Sequence, residues 1–278
     1  MKLLVVFVCL ALAVTAEVSI FRDYHLEIGI PEMERIKAAE AAMDFDGSRV
    51  VGGQTSSLGA HPHLAGLSIA LTDGRTSVCG ASLISTTRLV TAAHCWRSPS
   101  LTASNFTVIL GSIRFNSGGT RITTSNVVTH PNYNNFFRND VAVIIISAVG
   151  LNNNIQPITM ATGSNNYVGV LATVAGYGRT SNWGGISNSL MHTNLQVIDN
   201  ASCARVYGTD FIISSVLCTS NAGGRSPCGG DSGGPLYIGS GSGRLLIGIV
   251  SFGAESGCTA APGAFARVTS FASWISSQ

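Results

Sequence analysis

No lysine occurs after Lys37 in this chain of 278 residues, although eleven arginines occur from Val50 onward. A lysine with a pKa of about 10.4 loses its charge near pH ~10 to 11, whereas arginine stays protonated. The charges and ion pairs of the body are therefore expected to survive alkali. Charge is scarce altogether, at 11% of residues with a net +2, and no basic stripe with interleaved aromatics is present. That excludes a nucleic-acid partner. The absence of any CxxC pair or His-rich cluster argues against a metal site, and no cofactor is expected. Nor is there an apolar run of the ~20 residues needed to span a membrane. The nearest is "MKLLVVFVCLALAVTA", where Lys2, an apolar run and small residues before Glu17 have the layout of a secretory signal. Residues 1–16 are read as that signal, cut after Ala16, and the remainder as a secreted protein that stays off the membrane.

Residues 17–49 contrast with everything that follows. They carry eight acids against four bases, and "PEMERIKAAEAAMDF" reads as a helix with Pro31 in its first turn. Such a lead is either a detachable pro-segment or a solvated helix. From Val50 the chain is rich in Val, Ile, Thr, Ser and Gly, with short apolar runs such as "VCGASLI", "FTVILGSI" and "DVAVIII" between Gly, Asn and Ser turns. The pattern is that of an all-β protein built as a sandwich or barrel. A helix is expected only at the end, where Val268, Phe271, Trp274 and Ile275 fall at helical spacing. A break at "LNNNIQPITMATGSNN" divides the body into 50–160 and 161–278, each long enough for its own core. Once Cys9 has left with the signal, six cysteines remain, Cys79, Cys95, Cys203, Cys218, Cys228 and Cys258, an even number that favours disulfides in an exported chain. Of the many connectivities, the nearest-neighbour choice closes short loops worth roughly 3 kcal/mol each in the chain-entropy model.

"GRSPCGGDSGGP" places Ser226 and Ser232 six positions apart. Gly230 to Gly234 fits the G-x-S-x-G elbow of an α/β-hydrolase, but that fold needs an acid and then a histidine after the serine. No histidine follows Ser232 and Glu255 is the sole acid there, so that fold is excluded. A reactive Ser232 must find its base upstream, because a serine hydroxyl is inert near neutrality without a neighbouring imidazole. The candidates are His61, His63, His94, His130 and His192; His94, in "TAAHCW", stands out for the small residues before it and the cysteine after it. The carboxylate that orients an imidazole is best supplied by Asp140, at the mouth of the apolar run "DVAVIII", where burial demands a partner. Asp199 and Asp210 sit in polar, turn-like surroundings.

"TAAHCW", "NDVAV" and "GDSGGP", in this order, resemble the trypsin and chymotrypsin family of serine endopeptidases over residues 50–278, and most of all an insect midgut chymotrypsin. The resemblance implies two packed six-stranded antiparallel β-barrels with a C-terminal helix and the active site between them. It also implies that Ser232 attacks the scissile carbonyl, that His94 serves as base and then acid, and that Asp140 orients His94. The backbone N–H groups of Gly230 and Ser232 would form the oxyanion hole. "SRVVGG" would be the activation site: cutting after Arg49 frees the Val50 ammonium, which turns inward to pair with Asp231. That makes residues 17–49 a pro-segment and Asp231 a switch.

By the same resemblance Ser226 lies at the floor of the specificity pocket, Gly253 and Gly263 form its walls, and Ser251 to Gly253 pair with substrate backbone as an added strand. A neutral floor disfavours Arg and Lys, whose burial without a counter-ion costs several kcal/mol. Cleavage after Phe, Tyr, Trp or Leu is expected. The partners implied are polypeptide substrates, a separate trypsin-like activating protease and proteinaceous inhibitors, with the enzyme a monomer. "GSIRFNSGGTRITT" lacks the acids of the family's calcium loop, so no calcium is expected. Three disulfides and the absence of lysine fit a digestive enzyme of an alkaline gut, an immune or regulatory protease or a non-catalytic homologue being the rivals. Sequons at Asn105 and Asn200 would accept glycans.

Overall fold

The computed structural model describes residues 18–41, 54–134, 136–179 and 190–278. The signal, Arg49 and Val50 lie outside them. Fifteen strands follow in chain order: β1 (Gln54–Thr55), β2 (Leu64–Leu71), β3 (Thr76–Ser85), β4 (Arg88–Thr91), β5 (Ala103–Leu110), β6 (Thr120–Thr124), β7 (Val127–Thr129), β8 (Ala142–Ile145), β9 (Thr159–Met160), β10 (Leu171–Gly176), β11 (Met191–Ile198), β12 (Val216–Thr219), β13 (Pro235–Ile238), β14 (Leu245–Phe252) and β15 (Gly263–Arg267). Three α-helices accompany them, α1 (Ile30–Ala41), α2 (Asn200–Tyr207) and α3 (Val268–Ser276).

The strands form two sheets, in the order β6-β5-β2-β3-β4-β8-β7 and β1-β11-β10-β13-β14-β15-β12. In the second, β11 also pairs with β12, which closes a six-stranded barrel; the first stays open as a half-barrel. The expected pair of antiparallel barrels with a C-terminal helix is thus present, the first left unclosed. The two ends of residues 50–160 cross over: β1 pairs with β11, and β9 runs parallel to β14, so both join the second sheet. Core strands such as β2 are buried almost throughout and read as continuous apolar runs. One apolar cluster runs through both sheets and includes Leu67, Phe106, Val108, Leu236, Ile249 and Phe265. The sheets also touch through backbone, where Gly80 N–H donates to Ser232 O at 2.7 Å. A Cβ on Gly80 would lie 2.9 Å from Gly234 Cα, so only glycine allows that approach.

Helix α3 buries Val268, Phe271, Ala272 and Ile275, as its spacing requires, while Trp274 packs on His130 with ring centroids 4.8 Å apart. Helix α2 was not expected. Asp199 caps it by accepting from Ser202 N–H at 2.7 Å, and Gly208 at φ +83° ends it. Its eight residues are too few for periodicity to stand out, and the Cys203–Cys218 disulfide and the buried Tyr207 hold it. The disulfides are the nearest-neighbour set, Cys79–Cys95, Cys203–Cys218 and Cys228–Cys258, with Cα separations of 6.2, 6.3 and 5.1 Å.

The two sequons differ. Asn105 is partly exposed on β5. The Asn200 side-chain nitrogen donates to Ile213 O at 2.9 Å and Val216 O at 3.0 Å, and its oxygen accepts from Arg267. A glycan on that nitrogen would remove at least one of these bonds, so the structure argues against Asn200 as an acceptor.

Candidate active site

His94 sits in a single 3-10 turn, Ala93–Cys95, directly after β4, and is buried. The turn is pinned by the disulfide of Cys95 to Cys79 on β3. Both sulfurs lie beside the imidazole but are consumed by the disulfide, so they offer no thiolate to a metal. Asp140 lies at the entrance to β8, in a loop where Phe137 and Asn139 adopt φ of +56° and +55°. Its Oδ1 accepts from the His94 backbone N–H at 2.9 Å, and its Oδ2 lies 2.7 Å from His94 Nδ1. The Ser251 hydroxyl donates to the same Oδ2 at 2.6 Å. The sequence reading assigned Ser251 only a backbone role; its side chain in addition gives the buried carboxylate a third donor. A carboxylate so placed fixes the ring tautomer with the proton on Nδ1 and leaves Nε2 as the acceptor. His94 Nε2 is buried without a hydrogen-bond partner among the described residues.

Ser232 is buried and is one of the residues that line a pocket. Ser226, Gly253 and Gly263 line the same pocket, together with Pro227, Val250 and Phe252, which the sequence reading had not singled out. No acidic residue is among the residues that line it. A Cβ on Gly253 would meet nothing within 4 Å, whereas one on Gly263 would lie 3.0 Å from Pro227 Cδ. Three of the lining residues, Phe21, Tyr24 and Ile28, come from the segment before α1.

Gly230 has φ +96°, a region that side chains resist, and Gly178 Cα lies 3.1 Å from where its Cβ would be. Asp231 is half-buried as a residue, but its carboxylate is enclosed: a Cβ on Gly176 would approach Oδ1 to 2.1 Å. The carboxylate accepts from Gly178 N–H at 2.8 Å and Cys228 N–H at 3.0 Å. Burial pushes its pKa up to about 6, the two backbone donors pull it down, and the charge of Glu32 on α1 pushes it up.

The remaining histidines serve other places. His61 Nε2 and His192 Nδ1 each lie 2.9 Å from Ser56 Oγ, and His63 is buried with its ring 4.7 Å from that of Tyr237. His130 packs on α3. Asp210 takes no part through its carboxylate in any contact described for the site; its backbone oxygen accepts from Arg138.

Residues 50–275 match the family described as Trypsin. The chain is 38% identical over 232 residues to a protein named collagenase from Hypoderma lineatum, spanning 82% of this chain and 86% of that one. It is 34% identical over 251 residues to a protein named alkaline trypsin C from Manduca sexta, spanning 87% and 95% of the two. The solved structure of HL collagenase matches with a TM-score of 0.75 at 37% identity, spanning 82% of this chain and 97% of that one.

Proposed function

Since this chain belongs to the trypsin family of serine endopeptidases, we propose that it is a secreted zymogen whose body cleaves proteins after large apolar residues. Ser232 is the nucleophile. Its Oγ proton passes to His94 Nε2 as Oγ bonds to the scissile carbonyl carbon, and His94 returns that proton to the leaving amine as the C–N bond breaks. Water then repeats both transfers and releases the acid. Asp140 holds His94 in the required tautomer through the 2.7 Å contact to Nδ1 and stabilises the imidazolium. The amides of Gly230 and Ser232 receive the developing oxyanion.

The observation that carries the specificity is the uncharged pocket lined by Ser226, Pro227, Val250 and Phe252, with Ser226 taken by the family resemblance as its floor. An Arg or Lys side chain would be buried there without a counter-ion, a cost of several kcal/mol. Several relatives bear the name trypsin and one the name collagenase, so the test separates three outcomes. The chain is cut after Arg49, the activating protease is removed, and Phe-, Leu- and Arg-ended peptide substrates and native collagen are offered. Faster hydrolysis at Phe or Leu is expected, with all activity lost in Ser232→Ala. Preference for Arg would overturn the pocket argument, and cleavage of collagen alone would replace it with a collagenase reading. If a serine-directed phosphonate labels nothing after cutting and after residues 17–49 have been removed, the chain is a binding protein.

Secretion follows from the signal layout of residues 1–16, and an alkaline digestive role from the absence of lysine after Lys37. Two Manduca sexta relatives carry "alkaline" in their names, which supports it. In the cut enzyme the Val50 ammonium, paired with Asp231, has a folded pKa raised above its unfolded value. The active form is then fully favoured below the unfolded pKa and lost as pH rises through the folded one. Activity that collapses by pH ~8, near the ordinary α-amino pKa, would remove the alkaline reading.

A further inference from the structure

Residues 18–41 do not trail away from the body; they lie across the cleft. At one end, Ser19 O accepts from Glu255 N–H at 2.9 Å and Ile20 forms an antiparallel bridge with Ala254. That extends the line of Ser251 to Gly253, where a substrate backbone would pair. Ile20 is buried there against a cluster that includes Phe137, Phe252 and Ala254. The chain then passes over the catalytic pair. The Tyr24 ring centroid lies 4.5 Å from that of His94, and its hydroxyl donates to Val78 O on β3 at 2.6 Å. Tyr24 is almost fully buried, and it lines the same pocket as Ser226 and Ser232.

Beyond Tyr24 the segment is fastened to the first half-barrel. Asp23 accepts from the Ser98 hydroxyl at 2.6 Å and from Ser100 N–H at 2.9 Å. His25 Nδ1 lies 2.9 Å from Ser77 Oγ, and Gly29 packs so closely that a Cβ would meet the same oxygen at 1.9 Å. Along α1, Met33 and Ile36 are buried with Leu64, Ile109, Phe115 and Tyr177. Glu32 forms ion pairs with Arg179 and Arg35, and Glu40 accepts from the backbone N–H groups of Phe115 and Asn116. Burying two core residues and satisfying a clamped aspartate is the construction of a specific interface rather than of a tether.

On the segment's side all of these contacts come from residues 18–41, whereas the activating cut falls after Arg49. Hydrolysis of that bond therefore removes none of them. The only cysteine before Cys79 is Cys9, so no disulfide among residues 17–49 holds the segment once it is cut. Resting on the reading of Val50 as the new N-terminus, we propose that residues 18–41 are a built-in inhibitor of the active-site cleft, that the cut enzyme stays occupied by them, and that activity appears only when they leave or are digested.

The test uses the full chain with the recognition site of a sequence-specific protease placed directly before Val50, which spares Arg22 and Arg35. In the Ser232→Ala form, which cannot digest the fragment, residues 17–49 are expected to co-elute with the body on gel filtration after complete cutting. In the active form, hydrolysis of a Phe-ended substrate is expected to lag behind the cut, and dilution to shorten the lag. Tyr24→Ala should shorten it at least tenfold; Asp23→Asn, which alters only the clamp at Ser98 and Ser100, should shorten it as well. A fragment that elutes separately, with activity rising in step with cutting, would overturn the proposal. A chain that hydrolyses nothing even after its fragment is gone would overturn the protease reading instead, and co-elution would still decide whether the fragment binds the body.

Discussion

Asp140 and Asp231 are two enclosed carboxylates of one cleft, the first beside the half-barrel and the second in the closed barrel, and they are provided for very differently. Asp140 has three donors: the backbone N–H of His94, its ring, and the Ser251 hydroxyl. Asp231 has, among the described residues, two backbone amides and no cation, and a carboxyl pushed up by burial to about 6. The half of the cleft that holds the base is finished before activation. The half that holds the nucleophile's turn contains a charge still waiting for its partner. An enclosed carboxylate without a counter-ion is costly, and the ammonium released at Val50 is what would relieve it.

The largest effect should come from breaking the finished side. Asp140→Asn in the cut chain is expected to lower kcat by about 10⁴-fold, the size seen for this triad elsewhere in the family, measured on a Phe-ended substrate once residues 17–49 have been removed. A loss under tenfold would show that another group orients His94.

Asp231→Asn should act in opposite directions on the two forms. Its folded pKa lies above the ordinary carboxylate value, so the folded chain binds the proton more tightly than the unfolded one. The carboxyl thus costs stability as pH rises from ~4 through about 6, by no more than about 3 kcal/mol. The uncut variant should therefore resist urea better than the parent at pH 8 and equally at pH 4. After cutting, it should lose roughly 10²- to 10³-fold in kcat, the size of a lost oxyanion donor. An uncut variant less stable than the parent at pH 8 would mean that Asp231 is already satisfied.

The smallest effect sharpens the comparison. Ser251→Ala removes one of the three donors from Asp140 and should cost about 1.5–3 kcal/mol of stability or its equivalent in rate. On a Phe-ended substrate kcat should fall while KM stays, because the carboxylate acts through His94 and not on the bound peptide. An unchanged kcat would leave Ser251 a structural contact.

Much of the site was legible in the chain because its parts are short and local. "TAAHCW" and "GDSGGP" carry their own turns and glycines, and the buried strand after Asp140 marks that residue as one needing partners. The half-barrel's failure to close, and the membership of β1 and β9 in the second sheet, were not legible, since pairing joins residues far apart in sequence. Helix α2 was missed because a capped two-turn helix held by a disulfide leaves no periodic signal. Nothing marked Tyr24 or Glu32, whose positions depend on surfaces made by β3 and by Arg179.

The sequence by itself determined the cast: a serine, a histidine and an aspartate in motif surroundings, six paired cysteines, a neutral residue at Ser226, and a body without lysine. These are properties of residue type and short-range spacing. Only the tertiary structure decided that Asp140 has three donors while Asp231 has two backbone amides and no cation among the described residues, that Ser251 serves the first, and that residues 18–41 lie over His94. Each of these depends on which distant backbone and side-chain atoms share one low-dielectric cleft, and chain order does not encode that distance.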